Sequence, residues 1–219
     1  MACVIELVGP AGAGKTTLLG ALAAGPERIV PAPDTSWWGY LRALPKDARL
    51  WAPDALRGRP PSWETLRSMV YLRDWHATLS REKRDHPDRL TLHVLDHGPI
   101  FRLVKLGQFD PRAPRGPAFT AWLEAWLQAW RSILDLVIWV DAPDEVLHER
   151  IQHRDQQHEL QGGSLDASRR LLEGYRAAYG DVLARACEPG GPRVLKLATH
   201  GTPPDALADR VREELGRTG

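Results

Sequence analysis

Short, almost wholly apolar runs alternate along the chain with longer stretches whose apolar residues recur every three or four positions. The runs at Val4 to Val8, Arg28 to Val30, Leu90 to Leu95, Leu136 to Val140 and Val194 to Leu197 read as strands. Apolar along both faces, such strands belong in a parallel sheet covered on each side. The longer stretches read as helices. Ser62 is placed as the N-cap of a helix carrying Leu66, Met69, Val70, Leu72, Trp75 and Leu79, and Phe119, Trp122, Leu123, Trp126, Leu127, Trp130, Ile133 and Leu134 form one broad apolar stripe. Strand and helix in alternation predict an α/β fold with five parallel strands and helices on both faces. The spacing of Trp122, Trp126 and Trp130 points to packing, in the core or at a subunit interface, ahead of a ligand cage. Two stretches rich in Pro and Gly, 31–61 and 109–117, read as loops. Strands of one sheet flank each, so they are expected as substrate-facing insertions at the carboxyl ends of strands.

Composition narrows the class. The chain has 219 residues, 43% hydrophobic and 26% charged, which suits one soluble globular domain spanning 1–219. No apolar run reaches the roughly 18 to 20 residues of a membrane span, and the opening MACVIELVGP lacks the basic start of a signal peptide. Lys and Arg total 29 against 28 for Asp and Glu, a formal net charge of +1. That balance gives no global field for a nucleic-acid polymer or an anionic membrane, so any polyanion must be held locally. Two cysteines, Cys3 and Cys187, are too few for a disulfide framework, and a cytoplasmic location is expected.

One local feature can hold a polyanion. Gly9-Pro10-Ala11-Gly12-Ala13-Gly14-Lys15-Thr16-Thr17 fits G-x-x-x-x-G-K-[ST], the Walker A pattern, and stands between a predicted strand and a predicted helix. In such a loop, glycines allow successive backbone N–H groups to turn inward around phosphates, and the helix N-terminus adds partial positive charge. Gly9, Ala11, Gly12, Ala13, Gly14, Lys15, Thr16 and Thr17 are therefore the expected nucleotide-binding residues. Lys15 would reach the β- and γ-phosphates and the Thr16 hydroxyl would ligate Mg2+. Thr17 would cap the helix or touch the α-phosphate. The chain contains no asparagine, which removes the Asn-Lys-x-Asp motif by which GTPases read guanine.

The stretch Val137 to Arg154 ties the loop to a reaction class. A strand ends in Asp141-Ala142-Pro143-Asp144 and starts a helix that sets Arg150 and Arg154 one turn apart on one face. Two guanidiniums so placed can close over a triphosphate. With the Walker loop, this pattern resembles the thymidylate kinase and deoxynucleoside kinase family, whose lid carries Arg-x-x-x-Arg here. The resemblance implies a P-loop fold with a helical lid near 145–165, ATP and Mg2+ as cofactors, and lid arginines that clamp the transferring phosphate. It extends more weakly over most of the chain. Arg73 lies where relatives place an arginine near the acceptor, and Asp96 where they carry an acidic residue, here a Mg2+ or acceptor-site carboxylate. His97 stands in place of the family arginine. The loop 196–204 resembles the one beside the adenine. Relatives are often dimers through helices like the Trp122 stripe, which leaves a homodimer open.

The second strand departs from that pattern. Deoxynucleoside kinases show Pro-Glu-Pro, their glutamate being the general base, where this chain has Pro31-Ala32-Pro33-Asp34. Asp34 is the nearest replacement and the first choice for the base, with Asp96 the alternative. Trp37 follows closely and is a candidate to stack on a flat acceptor. The expectation is thus an ATP- and Mg2+-dependent phosphotransferase acting on a small-molecule hydroxyl, with Lys15, Asp34, Asp96, Arg150 and Arg154 catalytic and Trp37, Arg73 and His97 on the acceptor. A nucleoside monophosphate kinase is the nearest alternative. A nucleotide-binding regulatory ATPase acting on a protein partner is the alternative from another class.

Overall fold

The computed structural model describes residues 2–25, 29–30, 35, 37–85, 91–153 and 160–217. Five strands, β1 (Ala2–Val8), β2 (Ile29–Val30), β3 (Thr91–Asp96), β4 (Leu136–Asp141) and β5 (Arg193–Ala198), form one parallel sheet in the order β2-β3-β1-β4-β5. The central strand β1 pairs Leu7 with Asp96 of β3 and with Ile138 of β4. The carboxyl ends of the three middle strands therefore open along one edge.

Alternation along β1 divides the core into two layers. Ile5 and Leu7 face α1 (Lys15–Ala23) and α9 (Pro204–Gly216), where Leu18, Leu22, Leu207 and Val211 are buried. Val4 and Val8 face the other way, toward α4 (Trp63–Asp85), α5 (Pro99–Val104), α6 (Pro117–Arg131) and α8 (Leu165–Ala186). Glu6 shares the side of Val4 and Val8 and is fully buried.

The expected helices form, although α6 ends at Arg131, so Ile133 and Leu134 of the stripe are buried in the turn into β4. Ser62 caps α4, its Oγ accepting from the Thr65 amide at 3.0 Å. The tryptophan stripe is packing: Trp130 is fully enclosed and donates its indole N–H to Leu72 O at 3.1 Å, and Trp122 donates to Asp47 Oδ1 at 3.0 Å. Unpaired, such a donor would cost about 1–3 kcal/mol.

The reading of 31–61 as loop is corrected. Most of it is helical, as α2 (Trp37–Ala43), a 3-10 turn (Leu44–Asp47) and α3 (Ala48–Leu56). Pro45 occupies the first turn of the 3-10 segment, where a missing N–H loses no bond. Gly39 allows close packing, since a Cβ there would lie 2.9 Å from Thr35 Cγ2 and 3.4 Å from Asp74 Oδ2. The segment folds down onto Asp47, which is buried and pairs with Arg73 Nη2 at 2.6 Å. The stretch 109–117 is likewise tied into the body. Asp110 is buried, accepts from Thr65 Oγ1 at 2.5 Å and bends the loop around its own carboxylate through the Arg112 amide at 2.9 Å. Among the described residues, no helix is long and apolar enough to cross a membrane.

Candidate active site

At the open edge of the sheet lies a cleft of about 720 Å3. Its floor is the turn from β1 into α1. Gly9 passes so close beneath β4 that a Cβ would stand 2.0 Å from Val140 O, which no side chain permits. The turn ends with Gly14 as the N-cap of α1, in a left-handed conformation at φ 90°, and no acidic residue occupies the first helical turn. The first amides of α1 have no intrahelical acceptor and carry the positive end of the helix dipole. Lys15 folds back over the loop, its Nζ donating to Gly9 O at 2.8 Å and Pro10 O at 2.9 Å. Thr16 and Thr17 line the same floor.

Arg150, on α7 (Asp144–Gln152), closes one side. Its guanidinium donates to Gly12 O at 3.2 Å, to Thr199 Oγ1 at 3.0 Å and to Thr199 O at 3.3 Å. It thus joins the glycine-rich loop to the turn after β5, whose Thr199 and Thr202 also face the cleft. The base of α7 is fixed from α8 by Arg176, bonded to Asp141 at 2.8 Å, Asp144 at 2.6 Å and Ala142 O at 3.1 Å. These pairs hold the Arg176 guanidinium above its ordinary pKa. At the far end of α7, Gln152 donates to Leu160 O and accepts from the Gly162 amide, each at 2.7 Å.

The opposite wall comes from the end of β3. Asp96 and His97 both line the cleft, with Phe101, Tyr175 and Tyr179 beside them. Asp96 Oδ1 is buried without a hydrogen-bond partner among the described residues. His97 is the non-glycine residue among them with a left-handed backbone, at φ 57°, and its ring packs on Phe101 at 4.4 Å. Burial lowers the His97 imidazole pKa, with Asp96 opposing and Lys15 adding to the effect. The imidazole is thereby biased toward its neutral form.

The Asp96 carboxyl and Thr16, lining one cleft, suit a hard cation such as Mg2+, which takes few protein oxygens and completes its shell with other oxygen ligands. Among the described residues, no group of three His, Cys, Asp or Glu side chains is placed to hold a metal ion.

The expected site residues divide clearly. Gly9, Ala11, Gly12, Gly14, Lys15, Thr16, Thr17, Asp96, His97 and Arg150 meet around the cleft, and Ala13 is buried beneath the loop. The cleft does not include Arg73, which is engaged with Asp47 and lies over the Trp126 ring at 5.3 Å. Trp37 is 66% exposed on α2, also away from it. The described parts of 31–61 and 109–117 contribute no lining residue, contrary to their expected role as substrate-facing loops. Asp34 and Arg154 lie outside the described residues. Sequence reasoning missed Tyr175 and Tyr179, which no local motif marks, whereas Thr199 and Thr202 fall in the loop 196–204 that the resemblance singled out. It also passed over Glu6, whose signal was present as one carboxylate inside an otherwise apolar strand.

Comparison with solved structures gives matches over nearly the whole chain. A thymidylate kinase from Candida albicans is similar at 16% identity and a TM-score of 0.54, with 99% of this chain and 92% of that one covered. A deoxyadenosine kinase from M. mycoides, with products dCMP and a flexible dCDP bound, is similar at 12% identity and a TM-score of 0.51, covering 98% and 99%. No protein-family model matches the chain, and no curated protein sequence does. At such identities the likeness shows the fold, and the fold is that of the P-loop kinases.

Proposed function

We propose that the protein is a kinase that transfers the γ-phosphate of ATP, with Mg2+, to a hydroxyl of a small-molecule acceptor. The observation that carries this reading is the composition of the cleft at the sheet edge: a phosphate-binding loop with Lys15 on its floor and the Asp96 carboxylate on its facing wall.

The loop amides and Lys15 bind the β- and γ-phosphates, Lys15 exchanging its loop carbonyls for phosphate oxygens as nucleotide enters. Thr16 and Asp96 would hold Mg2+, which would supply neutralisation of the phosphate charge. Thr199 and Thr202 lie where the adenine would rest. Arg150 keeps the loop and the adenine side in register, and Arg154 is assigned as the lid cation on the transferring group. The acceptor oxygen attacks the γ-phosphorus, the bond to the β–γ bridging oxygen breaks, and ADP leaves with the electron pair. The proton of the acceptor hydroxyl passes to a carboxylate, Asp34 as first choice and Asp96 as alternative. A positioned base of this kind contributes about 10²- to 10⁴-fold.

A nucleoside monophosphate acceptor is the second reading, favoured by the likeness to the thymidylate kinase. The experiment that tests both is a phosphoryl-transfer screen with MgATP across nucleosides, nucleoside monophosphates, sugars and other small alcohols, read by product mass. A product 80 Da heavier than an alcohol supports the first reading, and a diphosphate supports the second. ATP binding without any phosphorylated product across the panel would overturn both.

A further inference from the structure

We infer that Glu6 is a positioning residue for the acceptor wall: its buried carboxyl grips the start of α5 and so fixes the turn that presents Asp96 and His97. The inference rests on the kinase reading for its effect on turnover, and on geometry alone for its effect on the turn.

Glu6 sits in the middle of β1, fully buried on the side of Val4 and Val8, where alternation calls for an apolar side chain. A carboxyl in such a place is costly unless its oxygens are matched. They are matched by the first turn of α5, since Ile100 N donates to Oε2 at 2.8 Å and Phe101 N to Oε1 at 2.9 Å. Gly98, the N-cap position of α5, supplies no capping side chain. Glu6 does from another strand what a capping residue does locally.

The fit extends to Gly98 itself. Its φ of −73° is open to any residue, so its glycine is not explained by backbone conformation. It is explained by space, because a Cβ on Gly98 would lie 2.6 Å from Glu6 Cδ, 2.8 Å from Cγ and 2.9 Å from Oε1. The carboxyl lies against the bare α-carbon and locks the backbone one residue beyond His97. His97 is held at φ 57°, a left-handed conformation that a non-glycine residue keeps only where its surroundings impose it. With Asp96 before it at the end of β3 and the gripped turn after it, His97 is constrained from both sides. The phosphate loop begins only three residues beyond Glu6, so one strand bears the loop at its tip and braces the facing wall from its middle.

The test uses Glu6→Gln, Gly98→Ala and the double variant in the full-length protein, with folding followed by circular dichroism. Glutamine keeps the volume but has one oxygen to offer, so one of the two amides loses its acceptor. Alanine at 98 pushes the carboxyl away without touching its charge. The acceptor is the best one from the phosphoryl-transfer screen, and a non-hydrolysable ATP analogue probes the phosphate side. Each single variant should lower kcat or raise acceptor KM by about tenfold or more, as misplacement of a reacting group does, while affinity for the analogue stays within about twofold. Amide exchange at Ile100 and Phe101 should quicken. The double variant should be little worse than Gly98→Ala alone, because both break one contact.

Wild-type turnover and wild-type exchange in Glu6→Gln would overturn the inference, as would an equal loss on the nucleotide side. If Glu6→Gln fails to fold, Gly98→Ala decides by the same readouts. If the wild-type protein phosphorylates no acceptor, the kinase reading fails, and the inference is then decided by the exchange of Ile100 and Phe101 and by the NMR shifts of Asp96 and His97.

Discussion

On the floor of the cleft the surface is mostly backbone, the glycine-rich turn and the first turn of α1, and Lys15 adds the charge. On the facing wall it is side chains brought from two strands and a helix: Asp96 and His97 at the end of β3, Glu6 behind them on β1, and Phe101 on α5. The floor is specified by a contiguous motif, because backbone conformation depends on the residue that bears it. The wall is specified by the order β3-β1-β4, because only the sheet brings Glu6 beneath Gly98. A backbone site thus tolerates little change in its own few residues, and a side-chain site can be disturbed from far away in the chain.

The largest effect that would sharpen this contrast is expected from Lys15→Ala. Removing the one cation on the floor should lower turnover by about 10³-fold or more, measured as product formed per enzyme in single-turnover reactions. Activity within tenfold of wild type would mean that the loop amides suffice and that the floor is not where charge is stabilised. Asp96→Asn on the wall comes next. It preserves shape and should cost about 10²- to 10⁴-fold in kcat. Recovery of part of that loss when Mn2+ replaces Mg2+ would identify Asp96 as a cation ligand, and an unresponsive loss would favour its role as the base.

A smaller effect is expected in stability, and it belongs to the wall alone. Burial pushes the Glu6 carboxyl up to about 8 from an ordinary 4.5, against the two amide bonds and Arg102, which draw it down, and with Asp96 adding to the rise. Tyr71 and Tyr179 are the other titratable groups facing it. Between pH 4.5 and 8 the folded protein therefore keeps a proton that the unfolded chain has released. More protons bound in the native state means that stability falls as pH rises through that window, by at most about 1.4 kcal/mol per pH unit for one group. Urea unfolding at a series of pH values should show this slope in the wild type and lose it in Glu6→Gln. A slope unchanged by the substitution would assign it to other groups and leave Glu6 ionised throughout.

The same contrast explains what was legible in the sequence. Five apolar runs announced the five strands because a parallel sheet buries both faces, and Ser62 announced the start of α4 because an N-cap acts within its own turn. The glycine-rich loop was legible for the same local reason. Pro and Gly read as breakers in 31–61, yet most of the segment is helical, because Pro45 opens a turn and Gly39 makes room for Asp74. Arg73 pointed by analogy to the acceptor, but the nearby insertion supplies Asp47, and the pair is closed at 2.6 Å. Gly98 and Glu6 are far apart in sequence, and nothing local to either reveals the other.

The smallest expected effect concerns how far the wall extends. Trp37 is 66% exposed at the start of α2, outside the cleft, and Trp38 beside it is 68% exposed. Were Trp37 a core residue, truncation would cost about 3–5 kcal/mol, but an exposed side chain with little to pack on should cost within about 0.5 kcal/mol. Trp37→Ser should therefore unfold at nearly the wild-type urea midpoint, with acceptor KM within about twofold. A tenfold rise in acceptor KM at unchanged stability would show that α2 reaches the acceptor when it binds. The wall would then extend to a side chain carried by α2, and its make-up would differ between the acceptor-bound and the acceptor-free protein.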